Sequence, residues 1–242
     1  MLLFKKISLT LFVFFIAITA MPQDLKEINI SIAQMPVVSE NTEKGQFVDL
    51  VKAIARVSGV KLKLQVAPFV RSMDNAITGK VDAHMPMMKS PYIKEKDLDY
   101  DLSTVTLYEV NFVLYTNKNK KINMNNLKNY KIETDMAHVG YFNFPVIAST
   151  DIEGSLQKVN AGRIDGFIFA DFTSDSVIKE KGLKNIKREF YKQFEVKFVL
   201  PKGQKGKDMD KLLSKAVAQL KKTGELTKIL SPVDAPYNNW QP

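Results

Sequence analysis

The feature that most limits the possible folds of this chain is a short internal repeat. Residues 77–83 read Ile-Thr-Gly-Lys-Val-Asp-Ala, and residues 160–166 read Asn-Ala-Gly-Arg-Ile-Asp-Gly. Each copy follows an amphipathic helical pattern and precedes an apolar stretch of strand length. The glycine suits the end of a helix, because a positive φ costs glycine little. Two copies in matching contexts indicate two similar lobes in one chain; coincidental helix-to-strand turns are the alternative.

The hydrophobic pattern around the first copy switches between two periods. Residues 27–34, 61–67 and 81–88 alternate apolar and polar side chains, as strands do. Residues 47–58 and 69–77 carry apolar side chains at helical spacing, and a glycine follows each of these segments closely. Strands and helices in alternation predict a parallel sheet covered by helices, so the predicted fold class is α/β.

Two later strand patterns are predicted to cross between the lobes. Residues 104–117 read as one long strand that runs into a polar stretch, which places a first crossover at residues 115–120. Residues 195–200 form another strand pattern, interpreted as the return crossing. The remaining predictions are two closing helices and an irregular tail that packs on the surface, at residues 207–223, 225–230 and 231–242.

The start of the chain has the pattern of a secretory signal peptide. Lys5 and Lys6 precede a nearly unbroken apolar run from Leu9 to Ala20, which is shorter than the roughly 20 residues of a membrane span. Residues 1–20 are therefore predicted to be cleaved near Ala20, with an uncleaved anchor as the alternative. The 242 residues include no cysteine, which excludes disulfides, thiolate metal sites and a lipidated cysteine. A freely soluble periplasmic protein is expected.

The formal net charge of the chain is +9. Its lysines are scattered over the predicted helices and do not form a basic stripe with interleaved aromatic residues. Nucleic acid is therefore not expected as a partner. Attraction to an anionic ligand or to an acidic membrane surface stays open, as does an ordinary solvated basic surface.

Several motifs follow one another in an informative order. Residues 45–50 read Gly-Gln-Phe-Val-Asp-Leu, Phe69 precedes the second helix, the repeat occupies residues 77–82, and residues 199–203 and 220–224 mark the return crossing and the closing helices. In order and spacing these motifs resemble the type II periplasmic solute-binding proteins, in particular the polar amino-acid branch called family 3. The resemblance covers most of the chain after the signal peptide.

The resemblance implies a two-lobed α/β fold with two hinge crossovers and a cleft that closes on a small-molecule ligand. It implies delivery of that ligand to an inner-membrane ABC permease. Lobe 1 would comprise residues 24–116 and 202–242, and lobe 2 residues 117–201. A monomer is expected, and no cofactor is implied.

Seven residues are candidates for ligand binding. The resemblance places Phe69 against the ligand, Asp171 near the aspartate that holds an amino group, and Lys94 at the position of the arginine that clamps a carboxylate. The planar guanidinium of Arg71 can donate two hydrogen bonds to a carboxylate or phosphate. Pro86, Met87 and Lys89 follow the third strand, and ligands bind at the carboxyl ends of strands in α/β sheets. Core positions for Phe69 and Met87 and a surface role for Arg71 are the alternatives. The full set is Phe69, Arg71, Pro86, Met87, Lys89, Lys94 and Asp171.

The sequence departs from the family pattern at two places that bear on the ligand. Pro91 stands where the family has a threonine, three residues before Lys94. Residues 133–136, Glu-Thr-Asp-Met, replace the usual Gly-Ser/Thr turn of lobe 2. With three basic candidates retained, a small zwitterion or organic acid is the expected ligand.

Metal binding and catalysis have little support in the sequence. Residues 84–88 read His-Met-Pro-Met-Met and suggest a Cu(I) site, but strand alternation sends Met85 and Met87 to the face opposite His84 and Met88. No nucleophile elbow, phosphate loop or His-Glu-x-x-His motif occurs, so no catalytic or metal-binding residue is assigned. Two alternatives on the same fold are a dehydratase acting on prephenate or arogenate and a soluble sensor module for a membrane receptor.

Overall fold

The computed structural model describes residues 26–35 and 38–242, so the predicted signal peptide at residues 1–20 lies outside the described residues. The first part of the chain alternates strands and helices as predicted. Its elements are β1 (Glu27–Ala33), α1 (Gln46–Ser58), β2 (Lys61–Ala67), α2 (Phe69–Ile77) and β3 (Ala83–Met88). β1 pairs in parallel with β2 on one side and with β3 on the other. This unit is the core of lobe 1.

The second part of the chain builds a similar unit and then returns. Its elements are β4 (Asp101–Leu102), β5 (Tyr108–Asn117), β6 (Ile132–Asp135), a 3-10 helix (Met136–Tyr141), β7 (Ile147–Ser149), α3 (Ile152–Asn160), β8 (Gly166–Ala170), α4 (Asp171–Lys181), β9 (Ile186–Leu200), α5 (Gln204–Lys222) and α6 (Glu225–Leu230). β6 pairs in parallel with β7 and with β8, as β1 does with its neighbours, and these strands form lobe 2.

The two strands β5 and β9 join the lobes into one sheet. In the described part of the chain the strand order is β2-β1-β3-β9-β5-β8-β6-β7, with β4 paired to β9. The C-terminal half of β9 pairs with β3, and its N-terminal half pairs with β5, which in turn pairs with β8. β5 and β9 run antiparallel and both pass from one lobe to the other. The two-lobed α/β fold with two crossovers is confirmed.

The two crossing strands differ from their predictions in position. β9 begins at Ile186, well before the predicted start at residue 195. The prediction missed residues 186–194 because their charged and aromatic side chains obscure the alternation of a strand. Residues 112–116, assigned above to lobe 1, pair with β8 of lobe 2, so β5 passes between the lobes before the predicted crossover at 115–120. The predicted lobe limits, 24–116 with 202–242 and 117–201, stay predictions.

The repeat closes the same turn in both lobes. Gly79 and Gly162 have φ values of 71° and 70°, the left-handed conformation that ends a helix at little cost for glycine. The aspartates then pin the sheet: Asp82 Oδ2 accepts a hydrogen bond from Asn29 N at 2.7 Å, and Asp165 Oδ2 accepts one from Lys131 N at 2.8 Å. Each repeat aspartate thus satisfies a backbone amide at the entrance of the neighbouring parallel strand, which explains why both copies carry it.

The last ten residues lie across the hinge. Val233 is buried in the main hydrophobic core, whereas Gln241 hydrogen-bonds the backbone of Arg188 on β9 through both its side-chain oxygen and its side-chain nitrogen. The Arg188 guanidinium lies 5.2 Å from the ring centres of Tyr237 and of Trp240. This C-terminal segment, residues 233–242, is irregular and packs on the surface, as predicted.

Candidate functional site

The carboxyl ends of the parallel strands in both lobes meet beside the hinge. In open α/β sheets this edge is where ligands bind. In lobe 1 the edge carries Phe69 at the start of α2 and the loop that follows β3. In lobe 2 it carries the 3-10 helix that follows Asp135 at the end of β6. The region between these two edges is the candidate ligand cleft.

Tyr141 connects the two edges directly. Its hydroxyl donates a hydrogen bond to the Met88 carbonyl oxygen at the end of β3, at 2.6 Å, and lies 3.7 Å from Met87 Sδ. Burial raises the pKa of Tyr141, so the phenol stays a hydrogen-bond donor at all physiological pH values. A cavity of about 30 Å³ borders this contact, room for about one water molecule. The lobes therefore touch at the candidate cleft.

A buried aromatic cluster lies on the hinge strands next to Tyr141. The ring of Phe112 on β5 lies 4.9 Å from that of Phe194 on β9 and 5.7 Å from that of Phe169 on β8. The ring of His138 packs on Phe112 at 5.5 Å and on Tyr141 at 5.6 Å. These residues were absent from the sequence-based set. The aromatic residues of β5 and β8 were the available signal, but they also fit an ordinary core.

Asp135 supplies a carboxylate where the family has a Gly-Ser/Thr turn. Burial tends to raise the pKa of Asp135, but the hydrogen bonds that it accepts from His138 and from the backbone amide of Ala137 outweigh burial and lower the pKa. Asp135 Oδ1 lies 3.0 Å from His138 Nδ1. At neutral pH the lobe 2 edge therefore presents an ionised carboxylate beside an imidazole.

Phe69 and Met87 lie on the lobe 1 side of the cleft. The Phe69 side chain is 37% exposed and packs edge-on against the buried His84 ring at 5.3 Å, so it is not a closed core residue. Met87 is buried in a small cluster with Ala76, Val81 and Val199, while its sulfur reaches Tyr141. Pro86, which directly precedes Met87, is half-buried.

The three basic candidates differ in their partners. Lys89 Nζ lies 2.7 Å from Glu95 Oε1, so its charge is already neutralised. Arg71 and Lys94 are exposed, and neither makes an ion pair with the described residues. Lys94 immediately precedes a short 3-10 helix, Glu95–Asp97. Only Arg71 and Lys94 of this set have charges free for a ligand.

Asp171 is held on a different face of the sheet. Its Oδ2 accepts a hydrogen bond from Asn111 Nδ2 at 3.1 Å, and the same amide donates to the Ala235 carbonyl oxygen of the C-terminal segment at 2.8 Å. Burial raises the pKa of the Asp171 carboxyl. Asn111 and Phe112 are neighbours on β5 and point to opposite faces. The structure therefore does not bring Asp171 to the face of the aromatic cluster.

His84 belongs to a buried polar chain. Its Nδ1 lies 2.7 Å from Ser72 Oγ, which lies 2.6 Å from Ser31 Oγ. Burial lowers the pKa of His84 to about 4, so the ring is neutral at pH 7. Met85 is fully buried in the core, as its face of the strand predicts. No group of three or more potential metal ligands occurs among the residues that the structure describes.

Comparison with solved structures shows the fold. A histidine kinase sensor domain with similarity to periplasmic binding proteins superposes with a TM-score of 0.65 at 18% identity, covering 88% of this chain and 97% of that one. The GluR0 ligand-binding core from Nostoc punctiforme, in complex with L-glutamate, gives a TM-score of 0.65 at 14% identity, covering 86% of this chain and 100% of that one. The substrate-binding protein of an amino acid ABC transporter gives a TM-score of 0.59 at 19% identity, covering 86% of this chain and 98% of that one.

No curated protein sequence matches this chain significantly. Among the helices that the structure describes, none is both long and apolar enough to cross a membrane. The family model of the bacterial extracellular solute-binding proteins, family 3, matches residues 28–232, which is most of the sequence. This match agrees with the two lobes, the paired repeat turns and the two crossing strands. The chain belongs to the bacterial extracellular solute-binding proteins of family 3.

Proposed function

We propose that this protein captures a small carboxylate-bearing solute, a zwitterion or organic acid of amino-acid size, and delivers it to an ABC permease of the inner membrane. The observation that carries the proposal is the meeting of two parallel-strand edges across β5 and β9. A cleft of this design binds by closure, because ligand contacts to both lobes favour the closed state over the open one.

The side chains around the cleft support a ligand with both an apolar part and an anionic group. The partly exposed ring of Phe69 offers an apolar face, and Arg71 and Lys94 form no ion pair with the residues that the structure describes. Asp135, ionised beside His138, provides an acceptor for an amino group from lobe 2. We keep Pro86, Met87 and Lys89 as proposed neighbours of the ligand. Asp171 would require a rearrangement around Asn111.

We propose export to the periplasm with cleavage of the signal peptide near Ala20. A basic start and a short apolar run support this location. N-terminal sequencing of periplasmic material should find a chain that starts near Met21. An intact Met1 in the membrane fraction would contradict export. We further propose a monomer that binds without chemistry, so steady product formation from prephenate or arogenate would contradict the proposal.

A sensor role is the second candidate. The similarity to a histidine kinase sensor domain supports it, because a domain of similar fold is there part of a sensor. The two roles predict different partners. A transport protein should lose its physiological effect when the permease is deleted, whereas a sensor should capture a receptor and act without any importer.

A ligand screen tests the proposed function. Native mass spectrometry of freshly purified protein should reveal a bound small acid or zwitterion. Thermal unfolding should then be measured with each of the twenty L-amino acids and with lactate, succinate and glutarate. A ligand at 100 times its Kd stabilises the folded state by about 2.7 kcal/mol. A rise in Tm with at least one of these compounds is expected. No rise with any of them would contradict the proposal.

A further inference from the structure

Lys192 occupies an unusual position on the hinge strand β9. Its ammonium nitrogen lies 5.7 Å from the ring centre of Tyr92 and 5.7 Å from that of Phe194. Tyr92 belongs to the lobe 1 loop after β3, and Phe194 also contacts Tyr141, the residue that joins the two strand edges. Lys192 therefore reaches from the hinge into the candidate cleft, next to the contact between the lobes.

Within the described part of the chain, no carboxylate pairs with the charge of Lys192. The side chain is half-buried, and no ion pair forms between Lys192 and any residue that the structure describes. Two other lysines near the cleft are paired, Lys89 with Glu95 and, more weakly, Lys197 with Glu195 at 3.9 Å. Lys94 is exposed and forms no ion pair with the described residues. Two aromatic faces stabilise an ammonium, but they leave its charge free to attract an anion.

A β-bulge aims this segment of β9. The pairing of β5 with β9 shifts register between Phe112 and Val113, which face Lys192 and Phe190, so Tyr191 is the extra residue. Bulges re-aim side chains and occur often beside functional sites. Burial, together with the neighbouring Tyr92, raises the pKa of Tyr191 to about 12, so its phenol remains protonated. The bulge thus gathers an ammonium and two phenols, all hydrogen-bond donors.

We infer that Lys192 binds the carboxylate of the transported solute, with Tyr92 and Tyr191 as supporting hydrogen-bond donors. This inference rests on the proposed function and assigns the anionic end of the ligand to the hinge strand. Lys94, at the family's arginine position, then has no clamp to form and stands exposed in its loop. Arg71, which is also exposed, contributes longer-range attraction.

The test compares an acid with its amide. The probe is the compound of the screen above that raises Tm most, titrated by calorimetry beside its carboxamide analogue. Lys192→Met keeps most of the side-chain length and removes the charge, and Lys192→Arg restores the charge. Lys184→Met is the matched control, because Lys184 is exposed and forms no ion pair with the described residues. If Lys192→Met unfolds, Lys192→Gln replaces it.

The unmodified protein should prefer the acid over the amide by at least tenfold. Lys192→Met should bind the acid at least 30-fold more weakly and lose the preference, because a desolvated charge pair is broken. Lys192→Arg should recover most of the affinity for the acid and most of the preference over the amide. Lys184→Met should change neither the affinity nor the preference. Affinity of Lys192→Met within threefold of the unmodified protein, with the preference intact, would overturn the inference and leave the proposed function standing. If no carboxylate binds the unmodified protein, both fall.

Discussion

The C-terminal segment should depend on a buried ion pair between Asp175 and Arg188, because the Arg188 guanidinium also donates hydrogen bonds to the carbonyl oxygens of Asn238 and Trp240, and Asp175→Ala tests this. Asp175 Oδ2 lies 2.6 Å from Arg188 Nη2, and the Arg188 side chain is fully buried. The hydroxyl of Tyr115 donates to the other oxygen of Asp175 at 2.9 Å. Removing the carboxylate leaves a buried guanidinium without its ion-pair partner, which costs about 3–5 kcal/mol.

We expect Asp175→Ala to lower the free energy of unfolding by about 4 kcal/mol. For a chain of this size that corresponds to a Tm about 8–16 °C lower. Urea unfolding can be followed by circular dichroism and by tryptophan fluorescence. The only tryptophan, Trp240, packs against Lys179 and Arg188, so its emission reports on the C-terminal segment itself. In Asp175→Ala the fluorescence transition should precede the loss of helix signal.

Two controls separate this explanation from general fragility. Glu225→Ala removes an exposed pair with Arg56 and should cost less than about 1 kcal/mol. Burial raises the pKa of Asp175 even though Arg188 opposes that effect, so the pair itself carries a large desolvation cost. Asp175→Leu combined with Arg188→Met should therefore recover at least half of the lost stability. A loss below 1 kcal/mol in Asp175→Ala would refute the reasoning.

Three further predictions follow from the geometry. His84 is neutral in the folded protein, with its pKa lowered from 6.5 to about 4. As the pH drops from 6.5 to 4, the unfolded chain is protonated at this residue before the folded chain, so the free energy of unfolding should fall by up to about 3 kcal/mol. His84→Gln should flatten the pH dependence of the urea midpoint over this range. Asp82→Ala and Asp165→Ala should each cost about 1–3 kcal/mol in urea unfolding, since each strands a backbone amide; a large cost for only one would contradict their equivalence. Tyr141→Phe removes the hydrogen bond to Met88 and should enlarge the ligand-free protein in solution scattering; unchanged dimensions would show that this bond does not hold the lobes together.

The fold could be predicted because its signals are local. Alternation in residues 27–34, helical spacing in residues 47–58 and the repeat turns at Gly79 and Gly162 each need only neighbouring residues to be recognised. The long N-terminal half of β9 was missed because its side chains are charged or aromatic on both faces. The pairing with β5 that makes it a strand is a tertiary contact.

The site was harder to predict because it depends on contacts between distant residues. Tyr141 contacts Met88 across the cleft, and Lys192 contacts Tyr92, which is 100 residues away in the sequence. Local sequence patterns do not predict contacts between residues so far apart in the chain. Counting from family motifs also placed Asp171 as a ligand-binding candidate, although its carboxylate is already held by Asn111. Motif spacing locates strand ends but not the directions of side chains.

The central claim, closure of two lobes on a carboxylate-bearing solute, can be tested by measuring one distance. The sequence has no cysteine, so Lys96→Cys with Asn143→Cys places two nitroxide labels on exposed positions, one in each lobe beside the cleft. Double electron–electron resonance should give a broad distance distribution without ligand. Saturation with the compound of the screen that raises Tm most should give a narrower and shorter distribution. Identical distributions with and without that compound would contradict the claim.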